Sequence, residues 1–314
     1  MPLRTLIAVS GLALCIAWTS GARAQAPAGQ RRPAAAPLQL KGPPPAAGPR
    51  APFELNTNEK AALEQLLLDW HNAGKDVKTF KCTFTLYQYD TTFGPKQKSK
   101  TNPNAAWREG TGQLKYSKPD HGMFQVEEVK TWDATKTEWG QEESGEHWVC
   151  DGKFLYELDP RQKQMRVRPL PPNMQGQGIA DGPLPFLFGA DVKKLQARFW
   201  MRIITPKEAA ETQVWIQAYP KWPADAANYQ RAELILNRGD LQPVALRVIQ
   251  LNGSPWTYQF KSIKVNDVWS GLMRDFAAPT KPFGWSKVLI DPGQPGPAGQ
   301  PPEQALLPGA GAQR

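Results

Sequence analysis

The apolar residues change their spacing once, at Gly74, and that change divides the chain into a helix and a sheet. Before it, Asn56 and Glu59 stand as a capping box. Ala62, Leu63, Leu66, Leu67 and Trp70 then recur at intervals of three and four, which predicts one amphipathic helix ending at Gly74. After it the period is two. Phe80, Cys82, Phe84 and Leu86 alternate with Lys81, Thr83, Thr85 and Tyr87. Strand-like runs follow at 112–117, 123–133, 146–150, 154–158 and 164–168. The run at 154–158 is dense: Asp151-Gly152 opens it as a tight turn, Asp159-Pro160 closes it, and it is apolar on both faces. One face can pack on the body of the protein, so the other must meet a second apolar surface.

A Pro-rich stretch, 169–185, interrupts the strands, and an apolar knot at Leu184, Phe186, Leu187 and Phe188 follows it. Residues 191–197 read as a short helix. Strands resume at 199–204, 213–219, 231–237, 244–251 and 257–265, with turn chemistry at Asn237-Arg238-Gly239-Asp240 and Leu251-Asn252-Gly253-Ser254. The pattern is α+β: one N-terminal helix, a short helical excursion and about ten or eleven antiparallel strands.

The ends carry a different composition. Arg4, the apolar stretch from Leu6 to Trp18 and Ala22-Arg23-Ala24 read as a cleavable secretory leader over 1–24. Residues 25–52 and 291–314 are rich in Pro, Ala and Gly and are expected to be disordered. Residues 53–290 are left as a single domain. The address implied is periplasmic or secreted. The net charge of +9 is dispersed rather than clustered. That suits a solvated surface or an anionic envelope polymer and argues against a nucleic-acid partner. Cys82 and Cys150 remain after the leader, and two alternatives stay open: a disulfide, or two small buried residues.

Catalytic patterns are missing. His71, His121 and His147 show no metal-ligand spacing, and there is no HExxH, CxxC or GxSxG sequence. Glu142, Glu143, Glu146 and His147 form one dense ionisable group. It reads as a solvated hairpin tip, with acid/base or metal work as the alternative. No enzyme activity, cofactor or metal is therefore expected. Twelve Trp, several of them in strands, leave a self-filled core and a ligand cavity both open, with carbohydrate stacking a lesser alternative.

The order of segments resembles the LolA-type periplasmic lipoprotein carriers. The amphipathic helix is followed by the aromatic strand from Phe80. Next comes GQLKYSKPDHGMF, Gly112 to Phe124, similar to a family hairpin, and VCDGKFLYELDP, ending at Pro160, similar to a second. Leu184 to Phe188 stand where the family has a lid helix. The nearest resemblance is to exported planctomycete proteins with a LolA-like domain. It implies a curved antiparallel β half-barrel with short lid helices. It also implies a monomer holding a lipid, a lipoprotein acyl chain or a lipidated protein, with peripheral membrane contact. An envelope sensor or structural module on the same fold, with another envelope protein as partner, is the alternative. Lys118 occupies the position of the family's lid-latching Arg and lacks its planar fork. Strand alternation selects Phe124, Val126, Tyr156, Met165, Phe199, Met201, Leu234, Leu246, Tyr258 and Phe260 as cavity lining. Phe186, Leu187 and Phe188 are the lid candidates, and Lys118 is the latch.

Overall fold

The computed structural model describes residues 50–290 apart from 93, 143–144, 161, 171–174, 176–191, 228 and 269–270. A helix, α1 (Thr57–Gly74), comes first. Then follow β1 (Thr79–Gln88), β2 (Arg108–Ser117), β3 (His121–Asp133), β4 (Glu138–Glu142), β5 (His147–Asp151), β6 (Phe154–Asp159) and β7 (Gln164–Pro169). After the interruption come α2 (Val192–Arg198), β8 (Phe199–Ile203), β9 (Gln213–Pro220), α3 (Pro223–Ala226), β10 (Arg231–Asn237), β11 (Pro243–Ile249), β12 (Pro255–Val265), α4 (Leu272–Asp275) and β13 (Ser286–Leu289).

All thirteen strands join one sheet in the order β13-β7-β6-β5-β3-β2-β1-β12-β11-β10-β9-β8, with β4 added to β3. The path does not return on itself, so the sheet is a curved half-barrel and not a closed barrel. That is the expected fold class, with two differences. The strands number thirteen among the described residues, because β4 and β13 were not anticipated. One pair, β13 with β7, is parallel.

Local chemistry explains the element ends. Asn56 Oδ1 accepts from the Glu59 N–H and Glu59 Oε2 accepts from the Asn56 N–H, both at 2.9 Å, so the capping box forms as its residues require. Leu63, Leu67 and Trp70 are the buried stripe, while Ala62, expected in it, is exposed. At the Asp151-Gly152 turn, Asp151 Oδ1 accepts from the Lys153 and Phe154 N–H groups at 2.9 and 2.7 Å. Gly152 sits at φ +86°, where a side chain is strained.

The two faces differ. The inner face meets α1 and forms the main core, in which Leu63, Leu67 and Trp70 pack with Phe84, Leu114, Phe124, Trp148, Leu234 and Tyr258. Rings organise its centre. Phe84 stacks on Phe124 at 5.0 Å between centroids, and Tyr258 meets Phe84 edge-on at 5.8 Å. Gly112 is required beneath them, since a Cβ there would lie 2.6 Å from the Phe84 ring and 2.1 Å from the Gln125 carbonyl oxygen. The outer face carries a smaller cluster over β3, β5, β6 and β7, in which Met123, Val149, Tyr156, Met165 and Val167 pack under Phe276.

Candidate functional site

A cleft of about 570 Å³ opens at the β8 end of the sheet. The segment before α1 forms one wall with Ala51, Phe53, Glu54 and Leu55. Lys60, Leu63 and Glu64 of α1, Gln196 of α2, Phe199, Trp200 and Met201 of β8, and Lys221 complete it. The wall is anchored rather than loose. The Phe53 ring lies under the Arg202 guanidinium at 4.7 Å and meets Tyr219 edge-on at 5.9 Å. Lys221 Nζ donates to the Gln196 carbonyl. Arg198 holds Asp225 by two hydrogen bonds, of 2.8 and 2.6 Å, which ties α2 to α3. The floor is apolar and the rim carries charges of both signs, so the cleft suits an apolar chain without selecting the charge of its head.

The ten residues expected to line a cavity fall into three groups. Phe199 and Met201 line the cleft. Phe124, Leu234, Leu246 and Tyr258 are buried in the inner core, with Phe260 packed against it. Val126 is buried there too and borders a void of about 20 Å³, room for about one water. Tyr156 and Met165 are a correction, because both point to the outer face and pack with Phe276. The cause is the register. Leu155 pairs with Cys150 and Arg168 on the inner face, so Tyr156, one residue along, must face outward. On β6 and β7 the inner positions are Leu155, Glu157, Arg166 and Arg168, which a search for apolar alternation passes over. The grease on the second face of β6 is met by the protein's own Phe276.

The lid candidates Phe186, Leu187 and Phe188 lie outside the described residues. Lys118 Nζ donates to the Lys75 carbonyl at 2.6 Å, which places its charge at the C-terminal end of α1, where a cation is favoured. Of the glutamate-rich segment, only the two flanks of the expected tip are described. Glu142 ends β4, Glu143 lies outside the described residues, and Glu146 is half-buried beside the void that Arg108 also borders. His147 is part of β5, and burial pushes its pKa down. The disulfide alternative also falls, because Cys82 and Cys150 are both free and buried. Among the described residues no group of three His, Cys, Asp or Glu could hold a metal, and no helix is long and apolar enough to cross a membrane. Sequence reasoning missed Phe53, Leu55, Lys60 and Lys221 in the cleft. Phe53, an isolated aromatic in a polar leader to the helix, was the available signal.

No family model and no curated relative matches the chain. Several solved structures are similar in fold. A LolA superfamily protein of Nitrosomonas europaea covers 68% of this chain and 97% of its own, at 9% identity and a TM-score of 0.31. The lipoprotein LppX of Mycobacterium tuberculosis covers 67% of this chain and 98% of its own, at 10% identity and 0.33. The MucA/MucB complex of Pseudomonas aeruginosa matches over 69% of this chain and 61% of the matched chain, at 13% identity and 0.31. The narrower planctomycete grouping rests on the sequence resemblance alone.

Proposed function

We propose that this protein is an exported, non-catalytic binding protein that takes an acyl chain, of a lipid or a lipidated protein, into the cleft at the β8 end of the half-barrel. The apolar floor built from Phe53, Leu55, Leu63, Phe199, Trp200 and Met201 carries this reading. Its volume, about 570 Å³, falls within the roughly 300–1,000 Å³ usual for small-ligand sites. Burying methylenes there contributes about 0.8 kcal/mol each, so a long chain is held without any bond being made or broken. Export is supported by the leader-like sequence before Gln25, and the monomeric state by the half-barrel's self-contained core.

Titration of delipidated protein with a fluorescent C16 fatty acid tests the proposal, together with native mass spectrometry of protein purified from its own envelope. Saturable one-to-one binding is expected, weakened roughly ten-fold or more by Trp200→Glu, because a charge in the apolar floor costs about 1–3 kcal/mol or more. Protein that is consistently empty and ignores the fatty acid sinks the reading. A stoichiometric protein partner with no lipid favours the sensor alternative.

A further inference from the structure

A second polar arrangement lies on the inner face of β5, β6 and β7, at the other end of the strand order from β8. Trp148 pairs with Glu157 across β5 and β6, and Glu157 pairs with Arg166 across β6 and β7. The next row runs Cys150, Leu155, Arg168. Trp148, Glu157 and Arg168 therefore share this face with the shorter Cys150 and Leu155, and those two are nearly inaccessible at 1% exposure each.

The donors here lack acceptors. Arg168 is 8% exposed, yet its Nε and Nη1 have no hydrogen-bond partner, and neither has the Trp148 indole Nε1. Arg166 shows the contrast, since its Nη2 donates to Asp159 at 3.3 Å and to Gln162 at 2.7 Å. A buried guanidinium with open N–H groups costs several kcal/mol unless something accepts from it. Native proteins seldom keep such groups unmet. Glu157, the carboxyl whose charge acts on Arg168, forms no ion pair with it among the described residues. Burial favours the neutral form of that carboxyl, which can itself donate.

We propose that Arg168 and Trp148 form an oxyanion-binding site, specific for a carboxylate or phosphate group that accepts from the planar guanidinium and the indole N–H. A fork of parallel donors matches both anions, and a lysine could not present it. The same chemistry has two sources, a free anion or the head of an acyl amphiphile. The site does not depend on the cleft.

The experiment compares full-length protein with Arg168→Met, which keeps the side chain's length and removes the charge. Thermal midpoints are measured in phosphate, acetate and chloride at equal ionic strength. Hexadecyl phosphate, palmitate and hexadecanol are titrated by calorimetry. If the anion is free, phosphate raises the wild-type midpoint by several degrees over chloride and leaves Arg168→Met unmoved. If it is a lipid head, the wild type binds hexadecyl phosphate or palmitate roughly ten-fold or more tighter than hexadecanol, and the variant binds all three alike. Trp148→Phe keeps the ring and removes the N–H, and should reduce either preference several-fold. Wild type and Arg168→Met responding alike to every probe would overturn the site. A phosphate shift in a protein that binds no amphiphile would retire the acyl proposal while leaving this one standing.

Discussion

Cys82 on β1 and Cys150 on β5 face the same side of the sheet with β2 and β3 between them. Three strand spacings separate them by about 14 Å, twice the roughly 7 Å Cα limit for a disulfide. Each thiol is instead a small core residue, and burial pushes both pKa values up to about 12. A chain starting at Gln25 should show unchanged electrophoretic mobility and thermal midpoint with and without reductant. Iodoacetamide at pH 8 should label neither thiol in the native state and both in guanidinium. Labelling of native protein within minutes would contradict the packing.

Phe276 closes the outer-face cluster and is 1% exposed. Phe276→Ala should cost about 3–5 kcal/mol in denaturant unfolding, and it should increase dye binding by uncovering Tyr156 and Met165. A loss below about 1 kcal/mol would mean that the segment after β12 lies on the sheet without supporting it.

Gly112 lets the Phe84 ring and the Gln125 carbonyl approach the backbone. Gly112→Ala meets a carbonyl that cannot rotate away, so a cost at or above the top of the roughly 1–3 kcal/mol overpacking range is expected. Gly253→Ala is the contrasting control. Nothing lies near its Cβ, and only its φ of +81° opposes the change, at about 1 kcal/mol. Equal midpoints for the two variants would remove the packing argument.

Glu157 is held above the ordinary carboxyl value of 4.5, first by burial and then by Asp159, against the pull of Arg168 and Arg166. The folded state therefore keeps this proton to higher pH than the unfolded chain does. Its contribution to stability is complete below the unfolded pKa and is lost as pH rises through the folded one. Glu157→Gln keeps the shape and abolishes the titration. The variant's stability relative to wild type should grow as pH rises from about 4.5 toward 7. A difference that is flat with pH would show that the carboxyl is not held neutral.

The capping box predicts a smaller effect. Asn56→Ala should remove about 1 kcal/mol. Because α1 is also a wall of the cleft, it should weaken acyl binding as well as stability. Denaturant midpoints and fatty-acid titration on the same samples would separate the two effects.

What the sequence made legible was whatever had a period. α1 and eleven strands follow from caps, turn residues and apolar runs whose spacing is two in a strand and three or four in a helix. β4 and β13 were hidden for a physical reason. Ser286–Leu289 is exposed at every position and gains strand form only by lying beside β7. The inner ends of β6 and β7 were misjudged because burial there falls on Glu157 and Arg168, so the hydrophobic alternation marks the outer face. The cleft was only half visible, since Phe199 and Met201 belong to a patterned strand while Phe53 belongs to no pattern.

β1 is an early strand in the chain and lies in the middle of the sheet, hydrogen-bonded on one side to β2 and on the other to β12. The Thr83 hydroxyl donates to the Lys261 carbonyl, 178 residues later. During synthesis one side of β1 therefore waits bare until nearly the whole domain has been made, and closing so long a loop is slow. Chains that stop short of residue 255 keep an open sheet edge at their centre. Such fragments should be the ones that aggregate or are degraded, while the finished chain conceals that edge in its own middle.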